Sequence, residues 1–355
     1  MKILFLICFV ALSFSAFSQG NNYLGIEAQH RAGIIIAHRG LMSHIPESHA
    51  LGAEISIYYQ TNGKSTYHQL YNYPKYGIKL IGSTVGNDRI LGNMFGAVAF
   101  GDFPFFNIKN NELSGNVGVG LSYFTKIYDP VKNPKDVAIS THINALINLG
   151  LKYRYYFKNN LNFVLGFDLT HNSNGASRVP NLGVNLIYTS IGVGYQFKNV
   201  EFNTKEHQLN IDKKWKFNIT GVLSFKEVYP IHGKLFPVGN LSFIATKRFT
   251  PKSGIELYAD GFYKPSTLSN PSLVDANKWN VTQAGIMGAY NLYINRLRIH
   301  VGLGAYVYDK FNPDGRFYTR LGFKYQINKH LLATIGLKSH WAKADYIEYG
   351  IGYTF

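Results

Sequence analysis

Apolar and polar residues alternate along much of this chain, in the pattern that places every second side chain on one face of a β-strand. Between residues 143 and 157, Ile, Ala, Leu, Tyr and Phe take the odd positions, whereas Asn, Gly, Lys and Arg take most even positions. The segment 297–308 repeats this alternation, and the chain ends on an alternating stretch that closes with Phe355. Such segments predict antiparallel β-structure with one apolar face.

The alternation predicts sixteen strands, an even number as expected for a bacterial membrane barrel. The predicted strands are 22–37, 50–61, 76–84, 90–101, 114–127, 143–158, 161–173, 182–199, 214–227, 238–249, 253–263, 279–294, 297–309, 315–326, 329–340 and 345–355. All twelve prolines lie outside them, as a continuous hydrogen-bond ladder requires. The pattern is least regular between 61 and 114, which leaves fourteen strands as an alternative.

The composition assigns these strands to a membrane. Tyr (26), Phe (25) and Gly (35) are abundant and only 16% of residues are charged, against about 25% in soluble proteins. No segment after the N-terminus has the roughly 18 consecutive apolar residues of a spanning helix. A terminal aromatic residue after an alternating strand resembles the C-terminal signature of outer-membrane barrels. We therefore expect an all-β, antiparallel transmembrane barrel of 14–16 strands, with Phe355 contacting the barrel-assembly machinery.

Residues 1–18 have the features of a secretory signal peptide. Lys2 precedes an apolar run, and Ala16-Phe17-Ser18 forms a small-x-small cleavage site before Gln19. The only cysteine, Cys8, lies within this segment, so a disulfide or cysteine metal site is not expected in the mature chain. The remainder, 19–355, is expected to form a single barrel.

The connections predict the orientation of this barrel. If both termini face the periplasm, connections after even-numbered strands should be short. Four connections meet this expectation: 158–160, 251–253, 295–296 and 327–328. Three connections do not fit: 62–75, 102–113 and 200–213. The loop that begins at residue 174 follows an odd-numbered strand, and is therefore expected at the outer surface of the cell.

One strand ends in residues that could perform chemistry. Phe163, Leu165, Phe167 and Leu169 share a face, and His171 and Ser173 continue it. Residues i and i+2 on one face are about 7 Å apart at Cα, so an imidazole and a hydroxyl can come into hydrogen-bond contact. The alternative is a pair of ordinary polar residues where a strand enters a loop.

The residues that follow support the first interpretation. His171-Asn-Ser173-Asn174-Gly175, followed by Pro180-Asn181-x-Gly183-x-Asn185, resembles the signature of the PagL family of outer-membrane lipid A 3-O-deacylases. The resemblance extends over residues 22–199. Because smaller family members are eight-stranded barrels, residues 200–355 should either enlarge the barrel or form a second β-unit, and we favour one larger barrel.

The resemblance implies a serine esterase that acts on the lipid-facing exterior and removes an ester-linked acyl chain from lipid A. It implies Ser173 as nucleophile and His171 as general base. Asn174, with the backbone N–H of Gly175, would stabilise the oxyanion, and Asn181 would support the site. The family type has an acidic third member, whereas the next strand here offers Asn185, which can hold the imidazole tautomer but supplies no charge.

Other candidates are weaker. The formal net charge of +16 suggests contact with lipid A phosphates, with Arg178 as the loop cation nearest the site, although a lysine-rich surface explains the charge equally well. His38, His44, His49 and Glu47 match no defined metal-site spacing and are interpreted as a solvated loop. No metal, other cofactor or nucleic-acid partner is expected. The alternative functions are a non-catalytic porin or surface barrel, and a phospholipase or general esterase.

Overall fold

The computed structural model describes residues 23–205, 209–269, 277–311, 314–341 and 343–355. The predicted signal peptide and its cleavage site lie outside these residues. Within them the chain forms sixteen strands, as predicted: β1 Leu24–Ile35, β2 Ala50–Gln60, β3 Lys75–Thr84, β4 Asn93–Ile108, β5 Asn111–Phe124, β6 Ile143–Tyr156, β7 Leu161–Ser173, β8 Val184–Gln196, β9 Lys216–Glu227, β10 Leu235–Arg248, β11 Ser253–Tyr263, β12 Thr282–Ile294, β13 Leu297–Asp309, β14 Phe317–Gln326, β15 Leu331–His340 and β16 Lys343–Thr354.

In the described ranges, helical structure is limited to short segments in the connections. One α-helix, α1, covers Thr66–Leu70, and 3-10 turns cover Gly40–Met42, Pro265–Ser269 and Lys278–Val281. Among the described residues no helix has the length and apolar character needed to cross a membrane.

The strands close into two barrels of eight strands, so the expectation of one larger barrel is wrong. β8 pairs with β1, from Gly25 opposite Gln196 to Ile35 opposite Leu186. β16 pairs with β9 and closes the second barrel. The chain accordingly divides into two compact units: one contains β1–β8, and the other contains β9–β16 together with the segment Gly175–Asn181.

Two of the three connections that did not fit are thereby explained. The long connection through 200–213 joins the last strand of one barrel to the first strand of the next. The predicted loop 102–113 is wrong, because β4 and β5 continue to a tight turn at Lys109, which has a φ of 54°. Pro104 lies within β4, contrary to the expectation that every proline lies outside the strands, because a bulge between Pro104 and Phe106 accommodates its missing N–H. Pro237 also lies in a strand, β10. The connection 62–75 remains long and contains α1.

The exterior of the first barrel is apolar, with the predicted strand parity. Leu165, Phe167 and Leu169 of β7 are exposed, whereas the alternate residues Asp168 and Thr170 are buried. In a membrane barrel the exposed side chains of this set would contact lipid.

The interior of the first barrel is filled by charged side chains of both signs. Arg154 contacts Glu27, Asp102 and Glu112, and Arg31 donates to Asp168 at 2.5 Å. The five buried cations Arg31, Lys75, Lys79, Lys152 and Arg154 are matched by five carboxylates, Glu27, Glu54, Asp102, Glu112 and Asp168.

The second barrel is filled in a similar way. Its buried interior contains Glu256, Asp260, Arg320, Lys324, Lys338, Asp345 and Glu348, with the rings of Tyr258, Tyr306, Tyr318 and Tyr346. Eight strands leave an interior just wide enough for side chains. In the described residues, neither barrel has the wide polar lumen that would favour a porin.

Candidate active site

The register of β7 and β8 brings the predicted site residues together at one end of the first barrel. His171 on β7 lies directly opposite Asn185 on β8. Ser173 is the last residue of β7 and follows His171 on the same face of the strand. Both residues continue the apolar exterior stripe of β7 at its end. Ser173 is buried and His171 is partly buried, so neither side chain lies in open solvent.

The side chains form a hydrogen-bonded series. His171 Nε2 lies 3.1 Å from Ser173 Oγ. His171 Nδ1 lies 2.6 Å from Asn185 Oδ1. An amide oxygen only accepts hydrogen bonds, so His171 carries its proton on Nδ1 and presents the Nε2 lone pair to the serine hydroxyl. This is the tautomer that a general base needs.

A fourth residue, His38, was not predicted as part of this site. It follows β1, and its Nδ1 lies 3.0 Å from Asn185 Nδ2. Its Nε2 lies 3.0 Å from the carbonyl oxygen of Leu182. The β1–β8 pairing makes this possible, because the N–H of Ile36 donates to Asn185 O at 2.9 Å and carries the chain past Asn185.

Gly183 makes room for the imidazole. Its φ is +82°, and a Cβ added there would lie 3.0 Å from His171 Cε1 and 3.2 Å from the carbonyl oxygen of Asn172. Both the backbone conformation and the close approach favour glycine.

The loop between β5 and β6 supports the backbone beside the site. Gly183 N donates to Ala138 O at 3.0 Å, and Leu182 N donates to Val137 O at 3.3 Å. Asp136 organises this part of the loop, since its Oδ1 accepts from the N–H groups of Ala138 and Ile139. Burial raises the pKa of the Asp136 carboxyl to about 7.

The remaining predicted residues occupy different environments. Asn174 is buried, and its Nδ2 donates to Ser140 Oγ at 3.1 Å. Gly175, with a φ of +61°, and Asn181 belong to the segment that clusters with the second unit. Arg178 lies in the same segment and pairs with Glu227 at 3.0 Å. A phosphate-binding role for Arg178 stays a prediction.

The histidines of the loop after β1 do not converge. His38 contacts Asn185, whereas His44 Nε2 lies 2.8 Å from the carbonyl oxygen of Lys135. Glu47 pairs with Arg89 at 2.7 Å. In the described residues, one group has metal-ligand geometry, Asp314, His340 and Asp345 in the second unit. Three lysines, Lys226, Lys264 and Lys338, already contact Asp345 and balance its charge.

Distant structural likenesses are to outer-membrane barrels. Neisserial surface protein A has 13% identity and a TM-score of 0.36, with 50% of this chain and 100% of that chain covered. A porin from Rhodopseudomonas blastica has 10% identity and a TM-score of 0.18, covering 94% and 100%. The toluene transporter TodX from P. putida has 9% identity and a TM-score of 0.19, covering 94% and 90%. Curated protein sequences give no significant match.

Family models match both barrels. The model for lipid A 3-O-deacylase (PagL) matches residues 51–194, within the first barrel. The model for the acyloxyacyl hydrolase C-terminal domain matches residues 214–355, so the second barrel has a family description of its own. The chain therefore belongs to the PagL-like family of outer-membrane lipid A deacylases, which are hydrolases acting on an ester bond.

Proposed function

We propose that this deacylase uses Ser173 and His171, on the lipid-facing exterior of the first barrel, to remove an ester-linked acyl chain from lipid A. The observation that carries the proposal is the directed series from Ser173 Oγ to His171 Nε2, and from His171 Nδ1 to Asn185 Oδ1. A hydroxyl with an oriented base beside it is the arrangement of a serine esterase.

The proposed reaction uses each of these atoms in turn. Ser173 Oγ attacks the acyl carbonyl carbon while His171 Nε2 takes the hydroxyl proton. The resulting imidazolium keeps its Nδ1–H bond to Asn185 and returns the other proton to the departing sugar oxygen. The acyl chain is then held as a serine ester, and a water molecule deprotonated by His171 releases it as a fatty acid.

Asn174 and Gly175 are proposed to stabilise the negative charge that develops on the carbonyl oxygen. Asn174 Nδ2 donates to Ser140 Oγ, and this hydrogen bond fixes the plane of the carboxamide and thereby the directions of both its N–H groups. Preorganised donors of this kind lower the barrier because they need no reorientation during the reaction. Asn181 is proposed as a supporting residue of the same site.

The position of the pair suits an amphiphilic ester substrate. His171 and Ser173 continue the exposed apolar stripe of β7, so a substrate whose acyl chains lie in the membrane can present its ester beside them. We propose that this end of the barrel faces the outer leaflet.

Cysteine labelling tests this orientation. Val131, which is 85% exposed in the loop after β5, should be labelled as Val131→Cys on intact cells by an impermeant thiol reagent. Asn159→Cys, in the turn after β6, should be labelled only after the outer membrane is opened. The reverse pattern would place the site at the periplasmic end and contradict the proposed orientation.

Substitution of the pair tests the chemistry. Ser173→Ala and His171→Ala should each abolish fatty-acid release from lipid A, because the two groups act as a unit. Ser190→Ala is a matched control on the interior side of β8, where the hydroxyl donates to Gln29 at 2.9 Å. Its activity should be unchanged.

Mass spectrometry of lipid A from cells carrying each variant provides the measurement. Deacylated lipid A in cells with Ser173→Ala would refute the nucleophile assignment. Purified chain in vesicles that contain both lipid A and a glycerophospholipid tests specificity. Equal fatty-acid release from both would support a general esterase instead.

A further inference from the structure

His38 contacts the proposed catalytic series at the end remote from the serine. In the sequence it precedes the His-x-Ser motif by more than a hundred residues. The pairing of β1 with β8, which closes the barrel, brings it to the site. Its ring joins the amide of Asn185 to the backbone carbonyl of Leu182.

We propose that His38 is a positioning residue that fixes the orientation of the Asn185 amide, and through it the tautomer of His171. The proposal rests on the proposed function of Ser173 and His171. The carbonyl oxygen of Leu182 can only accept a hydrogen bond, and it therefore determines the tautomer of His38. His38 must therefore carry a proton on Nε2, and in its neutral form its Nδ1 is an acceptor.

The remaining orientations follow one from another. Because His38 Nδ1 accepts, the group of Asn185 that faces it must be the NH2, at 3.0 Å. The amide oxygen of Asn185 then faces His171 Nδ1, at 2.6 Å, and accepts its proton. The Nε2 lone pair of His171 is left for the hydroxyl of Ser173.

The carbonyl of Ile36 does not offer His38 a better alternative. It lies 3.4 Å from His38 Nδ1 and already accepts the backbone N–H of His38 at 3.0 Å. A proton on Nδ1 with Nε2 bare would also leave the Leu182 carbonyl facing a lone pair. Both observations favour the tautomer with its proton on Nε2.

An asparagine needs such a partner, whereas a carboxylate does not. Both oxygens of a carboxylate accept hydrogen bonds, so either one holds the same histidine tautomer. An amide rotated by half a turn would present its NH2 to His171 Nδ1 and stabilise the tautomer with the proton on Nε2. That tautomer cannot take a proton from serine, and His38 excludes it by occupying the NH2 group.

A double-mutant cycle tests the positioning role on the full chain. His38→Leu should lower kcat roughly 10- to 100-fold with little change in KM, because the wrong tautomer becomes populated. His38→Gln should retain most activity, since its amide also has one donor and one acceptor side. In an Asn185→Asp background, His38→Leu should cost less than about 2-fold.

An equal loss from His38→Leu in both backgrounds would show that His38 only anchors the loop, and would overturn the proposal. Activity of Ser173→Ala is measured in parallel, because retained activity there would refute the proposed nucleophile whatever the result at His38. Native mobility of the folded barrel in unheated gels verifies that each variant folds.

The tautomer can also be observed directly, without turnover. Nitrogen-15 spectra of chain labelled at histidine should show His171 with its proton on Nδ1, with the signal assigned by its absence in His171→Gln. His38→Leu should convert it to a mixture of tautomers. An unchanged His171 signal in His38→Leu would overturn the proposal even if activity fell.

Discussion

Asp136 should make the loop beside the site less stable as pH rises. No part of its side chain is exposed, and only Oδ1 has hydrogen-bond partners, at 3.1 Å and 3.0 Å from the N–H groups of Ala138 and Ile139. In the described structure Oδ2 is buried without a hydrogen-bond partner. Burial therefore raises the pKa of this carboxyl from 3.8 to about 7.

The sign of the effect follows from the direction of this change. A pKa that is higher in the folded state means that folding favours the protonated carboxyl. The stabilising contribution is complete below pH 3.8 and is lost as pH rises through about 7. The two pKa values differ by about three units, which corresponds to about 4 kcal/mol in the free energy of unfolding. This is an upper limit, reached well above neutral pH.

Asp136→Asn should remove this dependence. The amide oxygen can still accept from both N–H groups, but the side chain stays neutral at every pH. The variant should match the wild type in acid and exceed its free energy of unfolding above pH 7, by up to about 4 kcal/mol. Urea unfolding of the full chain in detergent, over a pH series that spans both pKa values, measures the difference.

Asp129→Asn is the matched control, because Asp129 forms a similar turn in the same loop. Its Oδ1 accepts from the N–H groups of Val131 and Lys132, but its side chain is only partly buried. The control should show little pH-dependent gain. Amide hydrogen exchange over 125–142 would show whether the effect is local to the loop. A stability difference between wild type and Asp136→Asn that does not vary with pH would refute the reasoning.

Three further substitutions should separate packing, charge and tautomer effects. Gly183→Ala should lower kcat, because its Cβ would approach the facing imidazole to 3.0 Å, whereas Gly40→Ala meets nothing within 4 Å and should leave kcat unchanged. Arg154→Met should lower the urea-unfolding free energy by about 3–5 kcal/mol by leaving buried carboxylates uncompensated, whereas Arg89→Met, at an exposed ion pair, should stay within about 1 kcal/mol. Asn185→Leu should lower the turnover of lipid A at least about 10-fold, by freeing the imidazole to rotate, without lowering the melting temperature. Unchanged turnover would mean that another group orients the base.

The strands and the core of the site were predictable because each depends on local pattern. Period-two alternation predicted sixteen strands, and it placed Leu165, Phe167 and Leu169 on one face, which the structure exposes on the first barrel. The same alternation placed His171 and Ser173 on one face, and Asn185 was expected on the adjacent strand, where the structure pairs it with His171. These inferences need only the geometry of one strand or of one adjacent pair.

Barrel closure was not predictable in this way, because alternation does not specify which edge strands pair. Assigning one barrel would pair β1 with β16, and would separate His38 from Asn185. The available signal was the long charged connection 200–213 on the side of short turns, which marks the boundary between the barrels. The predicted end of β4 before Pro104 was wrong for a different reason, since a bulge can accommodate a proline that a regular ladder excludes.

The asparagine in the third position affects the resting enzyme as well as the reaction. With the tautomers proposed above, the series of His38, Asn185, His171 and Ser173 carries no charge. A carboxylate at the rim of the apolar surface would have to lose hydration whenever a lipid covered it, at a cost of several kcal/mol for a poorly solvated ion. In the proposed mechanism this site can be covered by hydrocarbon while idle, because charge separates only once Ser173 attacks. The enzyme forgoes some electrostatic assistance in the transition state and gains a surface on which a lipid can settle without displacing a hydrated ion.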